Sequence, residues 1–270
     1  MKEKIGFIGG GRMAEALIKG MIQAGLTGGE QLYVVDPDKK RREFLHDTYG
    51  VNVFDKSDPV LAAQTIILAV KPQIMALVLD EIGENVTGDH LLISIAAGIP
   101  LSFIESALSG SGCRVIRVMP NTPALVLAGA SALSPGKKVT GEDLDQAAKI
   151  FDAVGKTVVM AESSLDAVTG LSGSGPAYVF SFIEGMIDAG VKVGLPRNEA
   201  ETLVLQTVYG SVKLAMESGE HPAVLRAMVT SPGGTTIAGL HKLEKGGFQG
   251  MIMDAVEAAT KRSRELGKLS

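Results

Sequence analysis

Apolar and polar positions change their rhythm partway along the chain. Up to about Ala161, short and nearly continuous apolar runs recur at Ile5–Ile8, Leu32–Val35, 65–70, 91–95, 115–119 and 157–160, separated by stretches with apolar residues every three or four positions. Runs of this length rich in Val, Ile and Leu predict strands, and the stretches between them predict helices. Strands alternating with helices form βαβ units, hence a parallel-rich sheet with helices on both faces. Residues 66–70 (IILAV) carry no polar side chain, the pattern of a strand buried on both sides.

After Ala161 the strand rhythm stops. Helical spacing fills 164–190, Arg197–Ser218, Pro222–Met228, Thr235–Lys245 and 247–266, with starts marked at Pro196 and Ser231-Pro232 and ends at Gly190 and Gly219. The chain is expected to divide into an α/β domain over residues 1–162 and an all-α domain over 163–270. Within the second, residues 177–195 are apolar on most faces, interrupted chiefly by Glu184, Asp188 and Lys192. Such a helix needs cover on nearly all sides. A second copy of the chain supplies that cover more easily than a core of about 110 residues, so a homodimer through the helical domain is expected, open to a higher oligomer of dimers. An intrachain core helix is the alternative.

Composition narrows the function. Hydrophobic residues make up 46% and charged residues 21% of the 270, which suits a folded globular chain, and the net charge of −4 offers no field for nucleic acid. The longest basic run, Lys39 to Arg42, follows Asp36 and Asp38 and reads as a solvated helical turn or a phosphate contact. Aromatic content of 4% with no Trp argues against base stacking. The single cysteine, Cys113, has no partner for a disulfide or at metal-ligand spacing, so no metal is expected and a reducing compartment fits. No apolar stretch reaches the roughly 18 residues of a membrane span, and the N-terminus lacks a signal-peptide layout, so the expectation is cytoplasmic, with no membrane partner.

Candidate chemistry begins where the first strand ends. Gly9-Gly10-Gly11-Arg12-Met13-Ala14 is G-x-G-x-x-A between a strand and a helix that runs to about Ala24. In that context Gly9 permits the turn, Gly11 lets backbone approach a diphosphate at the helix N-terminus, and Ala14 lets helix and strand pack closely. The first domain is therefore expected to be Rossmann-like and to bind NADPH or NADH. Asp36 closes the second strand, where an acidic side chain accepts from ribose hydroxyls and repels a 2′-phosphate; Lys39, Arg41, Arg42 and Lys56 are cations that offset this. A plainer reading makes Asp36 a helix cap ahead of Pro37. Ala69-Val70-Lys71-Pro72 and Ser94-Ile95-Ala96-Ala97-Gly98 close two further strands, where ligands of open α/β sheets lie, though either turn reads equally as a simple loop.

Two Gly/Ser-rich segments interrupt the helical half: residues 170–178 (GLSGSGPAY) and 229–236 (VTSPGGTT). The second leads into a helix, so the N–H groups of Gly234, Thr235 and Thr236 with neighbouring hydroxyls suit a carboxylate, or simply cap the helix. Residues 225–244 (LRAMVTSPGGTTIAGLHKLE) resemble the signature of the pyrroline-5-carboxylate reductases. The segments at 170–178, 117–123 (RVMPNTP), 69–72 and 9–13 resemble that family's other blocks in order and spacing.

The resemblance implies an oxidoreductase acting on a CH–NH bond, reducing 1-pyrroline-5-carboxylate to L-proline as the last step of proline biosynthesis. It implies that the substrate is bound at Val229, Ser231, Gly234, Thr235 and Thr236, with the Thr236 hydroxyl as the catalytic contact to the ring nitrogen. It places the cofactor along Ile8, Gly9, Gly10, Gly11, Arg12 and Met13, along Ala69, Val70, Lys71 and Pro72, and at Ala96, Ala97 and Asn121. Asp36 and Lys56 depart from residues common at those positions in the family. Two rivals share the glycine turn. A 3-hydroxyacid dehydrogenase needs a lysine base followed one turn later by Asn, and the long helix offers only Lys192 at its end. A non-catalytic nucleotide-binding protein has no use for a hydroxyl-lined anion segment.

Overall fold

In the computed structural model, which describes residues 3–267, the N-terminal part is an eight-stranded sheet of order β3-β2-β1-β4-β5-β6-β7-β8. The strands are β1 (Ile5–Ile8), β2 (Leu32–Val35), β3 (Asn52–Phe54), β4 (Thr65–Leu68), β5 (Leu91–Ser94), β6 (Arg114–Met119), β7 (Gly129–Pro135) and β8 (Gly155–Val159). All neighbours run parallel except β6 and β7. The parallel-rich, Rossmann-like sheet is thus as expected, with strands β3 and β7 added. β3 has three residues and β7 is GASALSP, so neither makes a bulky apolar run.

The apolar strands are buried twice over because successive side chains point to opposite faces. Ile67 and Ile93 join Phe7, Leu17, Leu45 and Phe151 in one core, while Ile66, Leu68 and Leu92 join Met75, Leu79 and Ile104 in the other. Helices α1 (Arg12–Gln23), α2 (Lys39–Tyr49) and α5 (Gly141–Asp152) cover the first face, and α3 (Met75–Ile82) and α4 (Leu101–Ala107) the second.

The helix expected over 164–190 is not continuous. A 3₁₀ turn (Glu162–Ser164) leads to α6 (Leu165–Val168), a π turn (Thr169–Gly173) and then α7 (Gly175–Lys192). Gly190 does not end α7; it lies within it, where a side chain would press on Ala200. The remaining helices are α8 (Arg197–Ser218), α9 (Pro222–Met228), α10 (Thr235–Lys245) and α11 (Phe248–Gly267). Gly219 at φ +66° closes α8 in the left-handed conformation expected of a terminal glycine.

The chain forms two compact units, one reaching to Ser174 and including the chain from Glu257, the other Gly175–Val256. The divide falls at 174/175 rather than at 162/163, where strand gives way to helix, because α6 packs on β7 and its Leu165 is fully buried. The end of α11 is tied to α6 by Ser263 Oγ donating to Asp166 Oδ1 at 2.6 Å. In the helical unit α7 packs along α8, yet no residue of α7 is buried.

Candidate functional site

The sheet register brings the carboxyl ends of six strands into line, since Ile8 pairs with both Val35 and Leu68, Val35 with Phe54, Leu68 with Ser94 and Ser94 with Arg117. The chain after β1 turns at Gly9, whose φ of +97° and 2.6 Å approach of a built Cβ to the Ala69 carbonyl oxygen admit only glycine. Gly11 is the N-cap of α1 with no side-chain cap, and nothing lies within 4 Å of a Cβ built there. The start of α1 is therefore uncrowded and uncapped, which suits an anionic diphosphate on its first-turn N–H groups.

A cleft of about 270 Å³ opens on this helix start, lined by Gly11, Arg12, Met13, Ala69, Val70, Lys71, Ile95, Ala97, Met119 and Pro120. Four segments distant in sequence thus meet in one place. Pro72 and Ala97 also border a neighbouring cavity of about 620 Å³, while Ala96 is buried beneath the turn with its N–H on Ser94 Oγ at 3.4 Å. Ile95 lies in the turn expected after β5. Met119 closes β6 and Pro120 follows it, so the strand-end rule that selected Ala69 and Ala97 extends to them.

Asp36 stands beside the same turn. Its Oδ2 accepts from Gly10 N at 2.8 Å and its Oδ1 from Asp38 N at 2.9 Å. The capping role considered for Asp36 belongs instead to Asp38, whose side chain accepts from Lys40 N at the start of α2. Two cations of the basic run are committed to backbone and are not a solvated turn. Arg42 Nη1 donates to the carbonyls of Asp36 and Pro37 at 2.7 and 3.0 Å. Arg41 donates through Nε to the Gly10 carbonyl and through Nη2 to the Gly11 carbonyl at 3.2 Å and to Glu15 Oε2 at 2.6 Å. Glu15 Oε1 in turn accepts from Tyr49 Oη at 3.1 Å. Burial, and then the Glu15 carboxylate it donates to, raise the Tyr49 phenol above its ordinary value. Lys39 pairs with Glu43 on the surface, and Lys56 is exposed past the end of β3.

Asn121 does not line the cleft. Its Nδ2 donates to Ser172 O and Oγ, both at 3.2 Å, and its Oδ1 accepts from Ala130 N at 2.8 Å, so its side chain is occupied in holding the π turn and β7 to the β6 loop. Gly173 of that π turn sits against Met119, whose Cε would be 2.6 Å from a Cβ there. The Gly/Ser-rich segment 170–178 is in its first part the packing elbow that backs the cleft wall.

The second Gly/Ser segment lies in the helical unit. Thr230 Oγ1 donates to Arg226 O at 2.7 Å, closing α9, and the chain turns through Gly233 at φ +68°. Gly234 N donates to Ser231 O at 3.1 Å, so this N–H belongs to the turn and not to an anion site. The N–H groups of Thr235, Thr236 and Ile237 remain ahead of the first bond within α10, from Ala238 N to Gly234 O at 3.4 Å. Gly234, the N-cap, has no side chain to compete for them, and a Cβ there would overlap Ser231 Oγ. Ser231 and Thr235 are exposed, Thr236 is half-buried, and the Val229 side chain is exposed before the turn. Hydroxyls and backbone donors thus surround one helix start. Among the described residues no group of His, Cys, Asp and Glu is arranged to hold a metal ion, and no helix is long and apolar enough to cross a membrane.

Comparison with known proteins agrees with this geometry along the whole chain. Residues 162–266 match the family described as pyrroline-5-carboxylate reductase dimerisation, and residues 4–98 match NADP oxidoreductase, coenzyme F420-dependent. A pyrroline-5-carboxylate reductase of Methanosarcina acetivorans is 49% identical over 98% of both chains. Among solved structures, the pyrroline-5-carboxylate reductase of Coxiella burnetii superposes with a TM-score of 0.93 at 35% identity, covering 98% of this chain and 99% of that one. The pyrroline carboxylate reductase of Plasmodium falciparum, solved with NADP bound, gives a TM-score of 0.88 at 38% identity over 99% of each. Near-complete coverage at these identities, together with the glycine turn and the Ser231–Thr236 helix start, means that the chain belongs to the pyrroline-5-carboxylate reductase family.

Proposed function

We propose that this chain reduces the C=N bond of 1-pyrroline-5-carboxylate with NADPH or NADH to give L-proline, the last step of proline biosynthesis. The observation that carries the reading is the Ser231–Thr236 turn, where hydroxyls and unpaired N–H groups gather at a helix start without any acid or base side chain of their own. A cyclic imino acid needs little else. Its carboxylate is held by Ser231 and the N–H groups of Thr235 and Thr236, with Val229 flanking, while Gly234 contributes by its lack of a side chain. The Thr236 hydroxyl is the catalytic contact, fixing the ring nitrogen and favouring its charged form.

The nucleotide, held along Ile8–Met13, Asp36 and Ala69–Pro72 and at Ala96 and Ala97, supplies the hydride when bound. The chain's own contribution is positioning, because an iminium accepts hydride without a protein base. Lys56 lies near the adenosine end in this reading, and Asn121 acts through the loop it ties down. The sheet unit, up to Ser174, serves the cofactor, and the helical unit, Gly175–Val256, the substrate and dimerisation. The chain works as a cytoplasmic homodimer, with a higher oligomer of dimers as the further assembly. The deciding experiment adds 1-pyrroline-5-carboxylate to protein with NADH or NADPH and follows nucleotide absorbance. Oxidation of nucleotide matched by proline formation is expected, and its absence with both nucleotides overturns the reading.

A further inference from the structure

We propose that Arg41 is a positioning residue that clamps the glycine turn from behind, so that its loss weakens NADH and NADPH alike. The inference rests on the reading that the Gly9–Met13 turn receives the cofactor diphosphate. A guanidinium carries five N–H donors in a rigid fork. Here Nε takes the Gly10 carbonyl, and Nη2 takes both the Gly11 carbonyl and Glu15 Oε2. Both ends of the contact are sheltered, with 22% of the Arg41 side chain and 23% of Glu15 exposed. The fork is fixed further by the Phe44 ring at 5.0 Å and by Tyr49, which donates to the second oxygen of Glu15.

The same residue is gripped on its other side, since Asp36 accepts from Gly10 N. The end of β2 therefore holds the N–H side of the turn and α2 holds the carbonyl side. This matters for an anion because carbonyl oxygens beside a phosphate repel it. The Gly11 oxygen already accepts from Glu15 N at 3.0 Å in the first turn of α1, so drawing the Gly10 oxygen onto the guanidinium leaves the N–H groups of α1 as the polar face of the turn. In sequence Arg41 is one of several cations available to a 2′-phosphate, which would make it a discriminator between the nucleotides. Its geometry makes it part of the turn that both nucleotides share.

The test titrates NADH and NADPH separately into wild type, Arg41→Met and Arg41→Lys by calorimetry without substrate, followed by steady-state kinetics. Arg41→Met is expected to weaken both nucleotides by a similar factor, about tenfold. Arg41→Lys is not expected to restore binding, because an ammonium lacks the fork. The KM for nucleotide rises, while kcat at saturating nucleotide and the KM for 1-pyrroline-5-carboxylate stay unchanged. Loss confined to NADPH would overturn the clamp and make Arg41 a 2′-phosphate ligand, and unchanged affinity for both would overturn it outright. Should Arg41→Met not fold, Glu15→Gln removes the anchor alone and is expected to produce a smaller, equal weakening. A wild type that binds neither nucleotide would overturn the cofactor reading beneath the clamp.

Discussion

Thr236 is half-buried in the first turn of α10, so its hydroxyl is removable at little cost to folding. Thr236→Ala is expected to lower kcat/KM for 1-pyrroline-5-carboxylate by about 1.5–3 kcal/mol, the range for a hydrogen bond to a charged group, with the melting temperature unchanged. Kinetics identical to wild type would remove Thr236 from the mechanism. Asp36 carries a different prediction. Its two oxygens accept from Gly10 N and Asp38 N, which holds a negative charge beside the turn. A like-charge contact with a 2′-phosphate costs about 1 kcal/mol or more, so NADH is expected to serve at least as well as NADPH. Asp36→Ser is expected to raise the NADPH-to-NADH ratio of kcat/KM about tenfold, even if both absolute values fall with the lost Gly10 bond. A ratio that does not move would mean that the carboxylate only braces the turn.

At the scale of elements, α1 and α2 are joined by Arg41, Glu15 and Tyr49, and this joint predicts a pH dependence. The folded chain raises the Tyr49 phenol above its ordinary 10.0, so the protonated form is the one the fold favours. The stability it contributes is present below that value and is lost as pH rises through the folded-state value. Urea midpoints measured from about pH 10 upward are expected to fall more steeply in wild type than in Tyr49→Phe; equal slopes would refute the linkage. None of this joint was legible in sequence, because Lys39 to Arg42 gives no sign of which cation turns inward, and Glu15 is 26 residues from Arg41. Helices α8, α9 and α10 were legible to the residue, since Pro196, Pro222 and Gly234 punctuate them. The π turn was not, because helical spacing of apolar residues reads straight through it. The cleft was largely legible: strand ends reveal that the turns at Ala69–Lys71 and Ile95–Ala97 gather at the glycine turn, and the same rule applied to β6 brings in Met119 and Pro120. The N–H of Gly234 was misjudged because a turn bond to Ser231 leaves no mark on composition.

At the scale of the whole molecule, the apolar surface of the helical unit points to a partner. In α7 and α8, Phe180, Tyr209 and Leu203 are 65, 62 and 57% exposed, and Val179, Leu205 and Val212 are also exposed. So many large apolar side chains exposed on two packed helices are rarely left to water in a stable monomer and mark an interface. The intrachain alternative, in which α7 is the core of the helical unit, fails because no residue of α7 is buried. A second copy using the same two helices would cover both patches by symmetry. Wild type is therefore expected to sediment as a dimer at micromolar concentration, with a Tm that rises as protein concentration rises, since association stabilises only the folded chain. Phe180→Glu places a charge in the patch without disturbing any buried contact of its own chain, so it is expected to yield a monomer that retains the fold of the sheet unit and still binds nucleotide. Light scattering and nucleotide titration on the same sample separate the possibilities. A wild-type monomer, or a Phe180→Glu dimer as tight as wild type, would mean that α7 and α8 meet something other than a second copy of themselves.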